Sequence, residues 1–146
     1  MHVLKESRIT KDFGPRPWEI EPYLKQGGYE ALKSCATKWS RDEIIAELKK
    51  AGLRGRGGAG FPTGVKWEKV LHHRVAEHYF VCNAGEHEPG TFKDRYLLKT
   101  SPHQLLEGML IAAFTVKAKA SFAYVNHEYV EELANLRKAA EQARAH

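Results

Sequence analysis

Glycine stands at positions 52, 55, 57, 58, 60 and 64, within and beside the run Leu53-Arg-Gly-Arg-Gly-Gly-Ala-Gly-Phe-Pro-Thr-Gly-Val-Lys-Trp67. Glycine loses more backbone freedom on ordering than any other residue, so neither helix nor strand is expected to cross so dense a cluster. The spacing predicts a loop that opens into a helical turn near Lys66 to Leu71. It also divides the chain, with short helical patterns before it and a strand–helix alternation after it.

Before the loop, Pro15, Pro17 and Pro22 with Gly14, Gly27 and Gly28 predict an extended N-terminal arm over residues 1–28 with little regular structure. A short helix is expected from Tyr29 to Lys38. Ser40 and Glu43 then form a Ser-x-x-Glu capping box ahead of Ile44, Ile45 and Leu48. That helix should end near Lys50, with Lys49 and Lys50 against the negative end of its dipole and Gly52 as a left-handed cap.

After the loop, His78 to Asn83 reads as a short buried strand ending in a polar, turn-rich segment, Asn83 to Arg95. Ser101, Pro102 and Gln104 announce a helix whose apolar face is Leu105, Leu106, Met109, Leu110, Ala113 and Phe114. Ser121 to Val125 follows as a second strand, and a helix from about Glu128 to Ala143 carries Tyr129, Leu133 and Leu136 on one side. The fold class is therefore α/β: parallel strands joined by a right-handed crossover, with flanking helices and an irregular arm. Two strands make a partial sheet, so residues 29–146 are expected to be the front portion of a domain completed by further chain or by another polypeptide.

Several functions are excluded early. The most apolar run, Leu105 to Val116, is broken by Glu107 and Gly108 and falls short of the ~18 to 20 residues of a membrane span, so no direct membrane insertion is expected. Met1 to Arg8 lacks the apolar stretch of a secretory signal, which points to the cytoplasm. Cys35 and Cys82 lie far apart with no Cys-x-x-Cys spacing, so neither a disulfide framework nor a zinc or iron–sulfur site is expected in this segment. The net charge of +5 suits a phosphate-bearing partner without choosing among nucleotide, nucleic acid and lipid. Acidic pairs such as Asp42-Glu43 and Glu131-Glu132 interrupt the basic residues, as on solvated faces.

Two segments could carry chemistry. Backbone N–H groups of Gly55, Arg56, Gly57, Gly58 and Gly60 could point at phosphate oxygens, with Lys66 adding a mobile charge. The alternative is a merely flexible loop. Gly55, Gly57 and Gly60 fit a Gly-x-Gly-x-x-Gly spacing, but a helix precedes them, and no Walker-type Gly-Lys-Ser/Thr follows. Phe61 and Trp67 could stack on a flat heterocycle or simply pack in the core. In the second segment, Asn83, Glu86 and Glu88 supply an amide and carboxylates suited to a ring edge or ribose hydroxyls. Adjacent Glu86, His87 and Glu88 rarely converge on one ion, so no metal is expected; Lys93-Asp-Arg95 reads by itself as a surface ion-pair group. Arg54-Gly-Arg-Gly-Gly is one copy of an arginine–glycine box between ordered elements, so no nucleic-acid partner is expected.

Taken in order, Gly52 to Trp67, Val81-Cys-Asn-Ala84, Glu88-Pro-Gly-Thr-Phe-Lys-Asp-Arg95 and Ser101-Pro-His-Gln-Leu-Leu-Glu-Gly-Met109 closely resemble the flavin subunit of respiratory complex I. Its relatives include subunits of NAD-linked hydrogenases and formate dehydrogenases. The resemblance implies a Rossmann-like domain binding FMN and NAD(H), in which the flavin carries the hydride chemistry and no residue of this chain is catalytic. By motif match Gly55, Gly57, Gly58, Lys66, Asn83, Glu86 and Glu88 would line that site, with Phe61 available for stacking. It further implies a multisubunit redox complex with an iron–sulfur protein, peripheral to the inner face of the membrane through its partners, the cluster itself lying outside this segment. The family commonly carries an acid where Gly85 stands, a small residue for His87 and an aromatic for Lys69. Its later Gly-Glu-Glu segment, ubiquitin-like domain and Cys-rich helices have no counterpart here. These departures leave open a non-catalytic assembly or docking subunit that has lost flavin binding.

Overall fold

The computed structural model describes residues 13–146, so the reading of the first eight residues and the first twelve residues of the predicted arm lie outside the described residues. Among those described, the chain runs α1 (Ile20–Lys25), α2 (Glu30–Thr37), α3 (Arg41–Lys50), α4 (Thr63–Leu71), β1 (His78–Ala84), α5 (Lys93–Thr100), α6 (Pro102–Thr115), β2 (Ala118–Val125) and α7 (Val130–Ala145). β1 and β2 pair as a two-stranded parallel sheet with helices around it, a partial Rossmann-like α/β fold. No described helix is long and apolar enough to cross a membrane.

The chain divides into two compact units, one of residues 29–82 and 108–122, the other of residues up to Gly28, 83–107 and 123–146. β1, α6 and β2 each contribute residues to both.

In the first unit α3 forms as its sequence dictates. Ser40 Oγ accepts the Glu43 N–H while the Glu43 carboxylate accepts the Ser40 N–H at 2.7 Å, completing the capping box. The Ser40 backbone and hydroxyl hold the Glu43 carboxyl below its ordinary range. Gly52, at φ +64°, takes the left-handed position after the helix. α3 buries Ile44 and Ile45, and α4 packs closely on it. The closeness has one cause: a Cβ built at Gly64 would stand 2.8 Å from Lys49 Cγ and 3.1 Å from the Ile45 carbonyl oxygen. α4 begins at Thr63, three residues before the turn predicted at Lys66, because this glycine is a helix–helix contact and not a breaker. Arg41 Nε donates to the Phe114 carbonyl at 2.9 Å, with its guanidinium 4.6 Å from that ring's centre. His78 Nδ1–H donates to the Val116 carbonyl at 2.8 Å.

In the second unit Ala84, Leu98, Tyr129 and Leu136 form the core, with Leu105, Leu106 and Val125 partly buried against it. α1 lies inside the predicted arm and corrects the expectation of little regular structure there. Pro22 is compatible with it because it falls in the first turn, where its missing N–H would have no helical partner. The Ile20 N–H finds its acceptor on α7, at Gln142 Oε1, 2.8 Å away. Tyr23 carries the segment inward: its ring meets Phe13 edge-on at 5.2 Å and stacks on His103 at 5.6 Å, and its hydroxyl donates to the Glu107 carboxylate. His103 is buried and donates from Nε2 to the Trp18 carbonyl at 2.8 Å; burial, which favours the neutral ring, lowers its pKa although that hydrogen bond works to raise it.

α5 was not expected from the sequence, so the connection between the strands holds two helices. The apolar face predicted for α6 is also shifted. Met109 and Ala112 are buried together with His103, Glu107 and Thr115, whereas Leu110 is exposed. Polar side chains with assigned hydrogen-bond partners occupy positions that a hydropathy pattern reserves for apolar ones. We expect Gly64→Ala to destabilise the protein by about 1 to 3 kcal/mol, despite alanine's better helix propensity, through overpacking against α3. A lower urea midpoint would show it; an unchanged or higher midpoint would rule out the tight crossing.

Candidate functional site

The glycine loop belongs to the first unit and is closed at its neck. Arg54 and Pro62 form an isolated antiparallel bridge. The Gly55 N–H donates to the Phe61 carbonyl at 2.9 Å, the Thr63 N–H to the Leu53 carbonyl at 2.9 Å, and Arg54 Nη1 to the Gly60 carbonyl at 3.0 Å. Beyond the neck the loop stands open. The N–H groups of Arg56, Gly57, Gly58, Ala59 and Gly60 meet no acceptor among the described residues. A Cβ at Gly57, Gly58 or Gly60 would have no atom within 4 Å. Gly58 at φ +106° and Gly60 at φ +59° adopt backbone conformations that side chains resist, so the sequence holds this shape by composition.

Phe61 is 47% exposed, so of the two roles open to it from sequence it does not fill the core one. Trp67 is half-buried in α4. Lys66 projects from an exposed position on α4, and Lys69 Nζ lies 5.9 Å from the centre of the Phe61 ring. The last pairing went unread in the sequence, where Lys69 registered only as a missing aromatic.

The other segment belongs to the second unit. Asn83 is exposed, and its Oδ1 accepts the Gly85 N–H at 3.0 Å in a local turn, while its side-chain nitrogen donates to no acceptor among the described residues. Gly85 lies under Tyr124, whose Cε1 would be 2.4 Å from a Cβ at position 85. Glu86 is buried. Its Oε2 accepts the Asp94 N–H at 2.7 Å in the first turn of α5, and its backbone carbonyl accepts Asn126 Nδ2 at 2.6 Å. Its Oε1 is buried with no hydrogen-bond partner among the described residues. Asn126 also lies 3.4 Å from His87 Nδ1, whereas Glu88 is exposed. Asn126 was absent from the sequence-derived residues, although as a polar residue just past the end of β2 it had the same signal that drew attention to Asn83.

Lys93, Asp94 and Arg95 behave as the ion-pair group their sequence suggested. Lys93 bonds Asp94 at 2.9 Å, and Arg95 Nε bonds Glu132 Oε1 at 2.8 Å with its guanidinium 5.5 Å from the Tyr129 ring centre. Burial works to lower the Lys93 pKa, but Asp94, Glu86 and Glu88 outweigh it and raise it. No group of acids, cysteines and histidines that could hold a metal is found among the described residues.

An α/β chain with an open glycine loop and a polar strand end has the outline of a nucleotide-binding domain. Residues 48–146 match the family described as the Nuo51 FMN-binding domain, and the chain belongs to that family. It is 45% identical over 129 residues to an NADH-quinone oxidoreductase subunit of Escherichia coli K12, covering 88% of this chain and 29% of that protein. It is 46% identical over 130 residues to the corresponding subunit of Aquifex aeolicus VF5, covering 89% and 30%. The chain thus spans about 30% of the length of these curated relatives. Among solved structures it resembles an NAD+-reducing [NiFe]-hydrogenase in the H2-reduced state, with TM-score 0.75 and 36% identity over 95% of this chain and 24% of that one.

Burial raises the Glu132 carboxyl pKa, but the hydrogen bond from Arg95 and the charges of Arg95 and Lys99 prevail and hold it below the usual carboxylate range. A depressed carboxylate stabilises the fold above its unfolded pKa of ~4.3, and that contribution fades as pH falls through the folded value. We therefore expect Glu132→Gln to lower the denaturation midpoint at pH 7 and to make the further loss on acidification below about pH 4 shallower than in the unaltered protein. Parallel acid limbs would remove Glu132 from the account.

Proposed function

We propose that this chain supplies binding residues for FMN and NADH to an NADH-oxidising flavoprotein subunit of a multisubunit redox complex. The observation that carries the reading is the open loop. Five successive N–H groups, Arg56 to Gly60, lack acceptors among the described residues at a place where glycine leaves the backbone bare, with Lys66 exposed on the following helix. Such an array fits a phosphate monoester, which offers acceptor oxygens and negative charge together. When bound, the flavin supplies both the hydride acceptance and the one-electron release that no side chain here can provide.

The residues of the chain position and recognise. Gly55 closes the neck, Arg56, Gly57, Gly58 and Gly60 present donors, and Phe61 offers an exposed ring for stacking. In the other unit, Asn83 keeps its amide donors free, Glu88 exposes a carboxylate suited to ribose hydroxyls, and Glu86 retains one acceptor oxygen. The relatives' names, those of an NADH-quinone oxidoreductase and an NAD+-reducing hydrogenase, support a nicotinamide substrate and a multisubunit setting. In this reading the iron–sulfur clusters and the path to the final acceptor lie in the remainder of the family's length or in partner subunits, which also hold the protein at the inner face of a membrane.

A second reading, an assembly subunit without flavin, draws on one feature. The Tyr124 ring fills the space that a side chain at position 85 would need, at the place where the family commonly has an acid. Purifying the native complex, denaturing it and assaying released flavin separates the two, since only the first reading yields FMN attributable to this chain. Within the first reading, Gly58→Val forces a β-branched residue to φ +106°. We expect it to weaken FMN binding at least about tenfold, followed by flavin fluorescence quenching, with the circular dichroism unchanged. Unaltered affinity would remove the loop from the site.

A further inference from the structure

A cleft in the second unit holds an amide that the fold leaves unused. The cleft has a volume of about 210 Å³ and lies between the segment Gly14 to Trp18, the end of α5 and the start of α7. Asn135 is 4% exposed and lines it, yet its side chain makes no hydrogen bond among the described residues. A buried amide without partners costs stability, and the buried His103 and Glu107 of the same unit have theirs. Glu131 stands four residues earlier on the same face of α7, about 6 Å along the axis, so an exposed acid marks the mouth and the amide lies deeper.

The hydroxyl and charged groups of the lining are already engaged. Thr100 Oγ1 donates to the Tyr96 carbonyl at 2.8 Å, and Lys99 Nζ meets the Glu131 carboxylate at 3.7 Å. That pair cancels the charge at the mouth, so neither an anion nor a cation is selected. The remaining wall is Pro15, Pro17 and Trp18, whose indole is held by the Lys138 ammonium 4.4 Å from its ring centre.

An asparagine amide offers an acceptor and donors side by side, and a neutral ligand must answer both. In an extended chain the N–H and C=O of one residue point to the same side and do so, whereas those of a single trans peptide group point apart. The volume falls below the ~300 Å³ at which pockets for whole small-molecule ligands begin, and it suits one residue lying among apolar walls. Pro15, Lys99 and Glu131 are exposed, so a chain can run on past the mouth. We propose that the cleft docks an extended, uncharged segment of a partner polypeptide, with the N–H and C=O of one apolar residue paired to the Asn135 amide. Pro15, Pro17 and Trp18 receive the side chain that flanks it.

The probe N-acetyl-leucine N′-methylamide carries one such residue. Titrated into the full chain, it should shift the Asn135 side-chain amide signals in nitrogen-edited NMR spectra, which are identified by their loss in Asn135→Leu. The analogue whose leucine N–H is replaced by an ester oxygen keeps one of the two hydrogen bonds and should bind about tenfold more weakly. Asn135→Leu should erase that difference while holding or raising the urea midpoint, because the amide it removes has no partner in the fold. A lowered midpoint makes Asn135 a structural group and overturns the proposal. So does equal binding of amide and ester by the unaltered chain, or the absence of any shift. Isobutyramide, a free primary carboxamide, should bind at least about tenfold more weakly than the probe. Equal or tighter binding reassigns the cleft to a small carboxamide and overturns the peptide source.

Discussion

Every backbone N–H taken from water must find an acceptor, and the ways this chain meets that requirement organise the rest of its structure. At α3 the solution is local, with Ser40 and Glu43 capping each other's amides. At α1 and α5 it is remote. Ile20 relies on Gln142 of α7, and Asp94 relies on Glu86, eight residues upstream. In the glycine loop the amides of 56–60 meet no acceptor among the described residues. That progression runs from local cap to distant cap to donors left open in an exposed loop.

Glu86 shows how much a single carboxylate can hold. One oxygen starts α5, its carbonyl fixes Asn126 beyond β2, and the segment between them is thereby tied to both strand ends of its unit. A buried carboxylate is costly to desolvate, and the Asp94 N–H that it accepts offsets part of that cost. The second acidic anchor, Glu132, is 1% exposed and is held by Arg95 of the helix that Glu86 initiates. The two acids therefore act in series on α5, one at its first turn and one through its side chain.

Glycine plays two unlike parts. At Gly64 its missing Cβ lets α4 approach α3 to contact distance, which sets where the loop ends and where Lys66 and Lys69 emerge. At Gly57, Gly58 and Gly60 it leaves empty space and permits conformations that other residues resist. The packing glycine supports the open ones: a rigid helix pair lets a bare loop keep its shape without filling it.

Both strands and most of the helices were legible in the sequence, because capping residues, proline at a first helical position and short apolar runs act over a few residues. The family was legible for the same reason, its motifs being contiguous. α5 was not, since its start depends on Glu86 and it buries only Leu98. Neither was α1, whose prolines looked like breakers until Gln142 and Tyr23 placed it. The sequence by itself determined the α/β class, the glycine loop and the family, all of which follow from local backbone preference and contiguous motifs. Only the tertiary structure decided that Phe61 faces outward under Lys69, that Glu86 turns inward, and that polar groups fill half of α6's buried face. Those outcomes depend on partners far along the chain, whose distances no local pattern encodes.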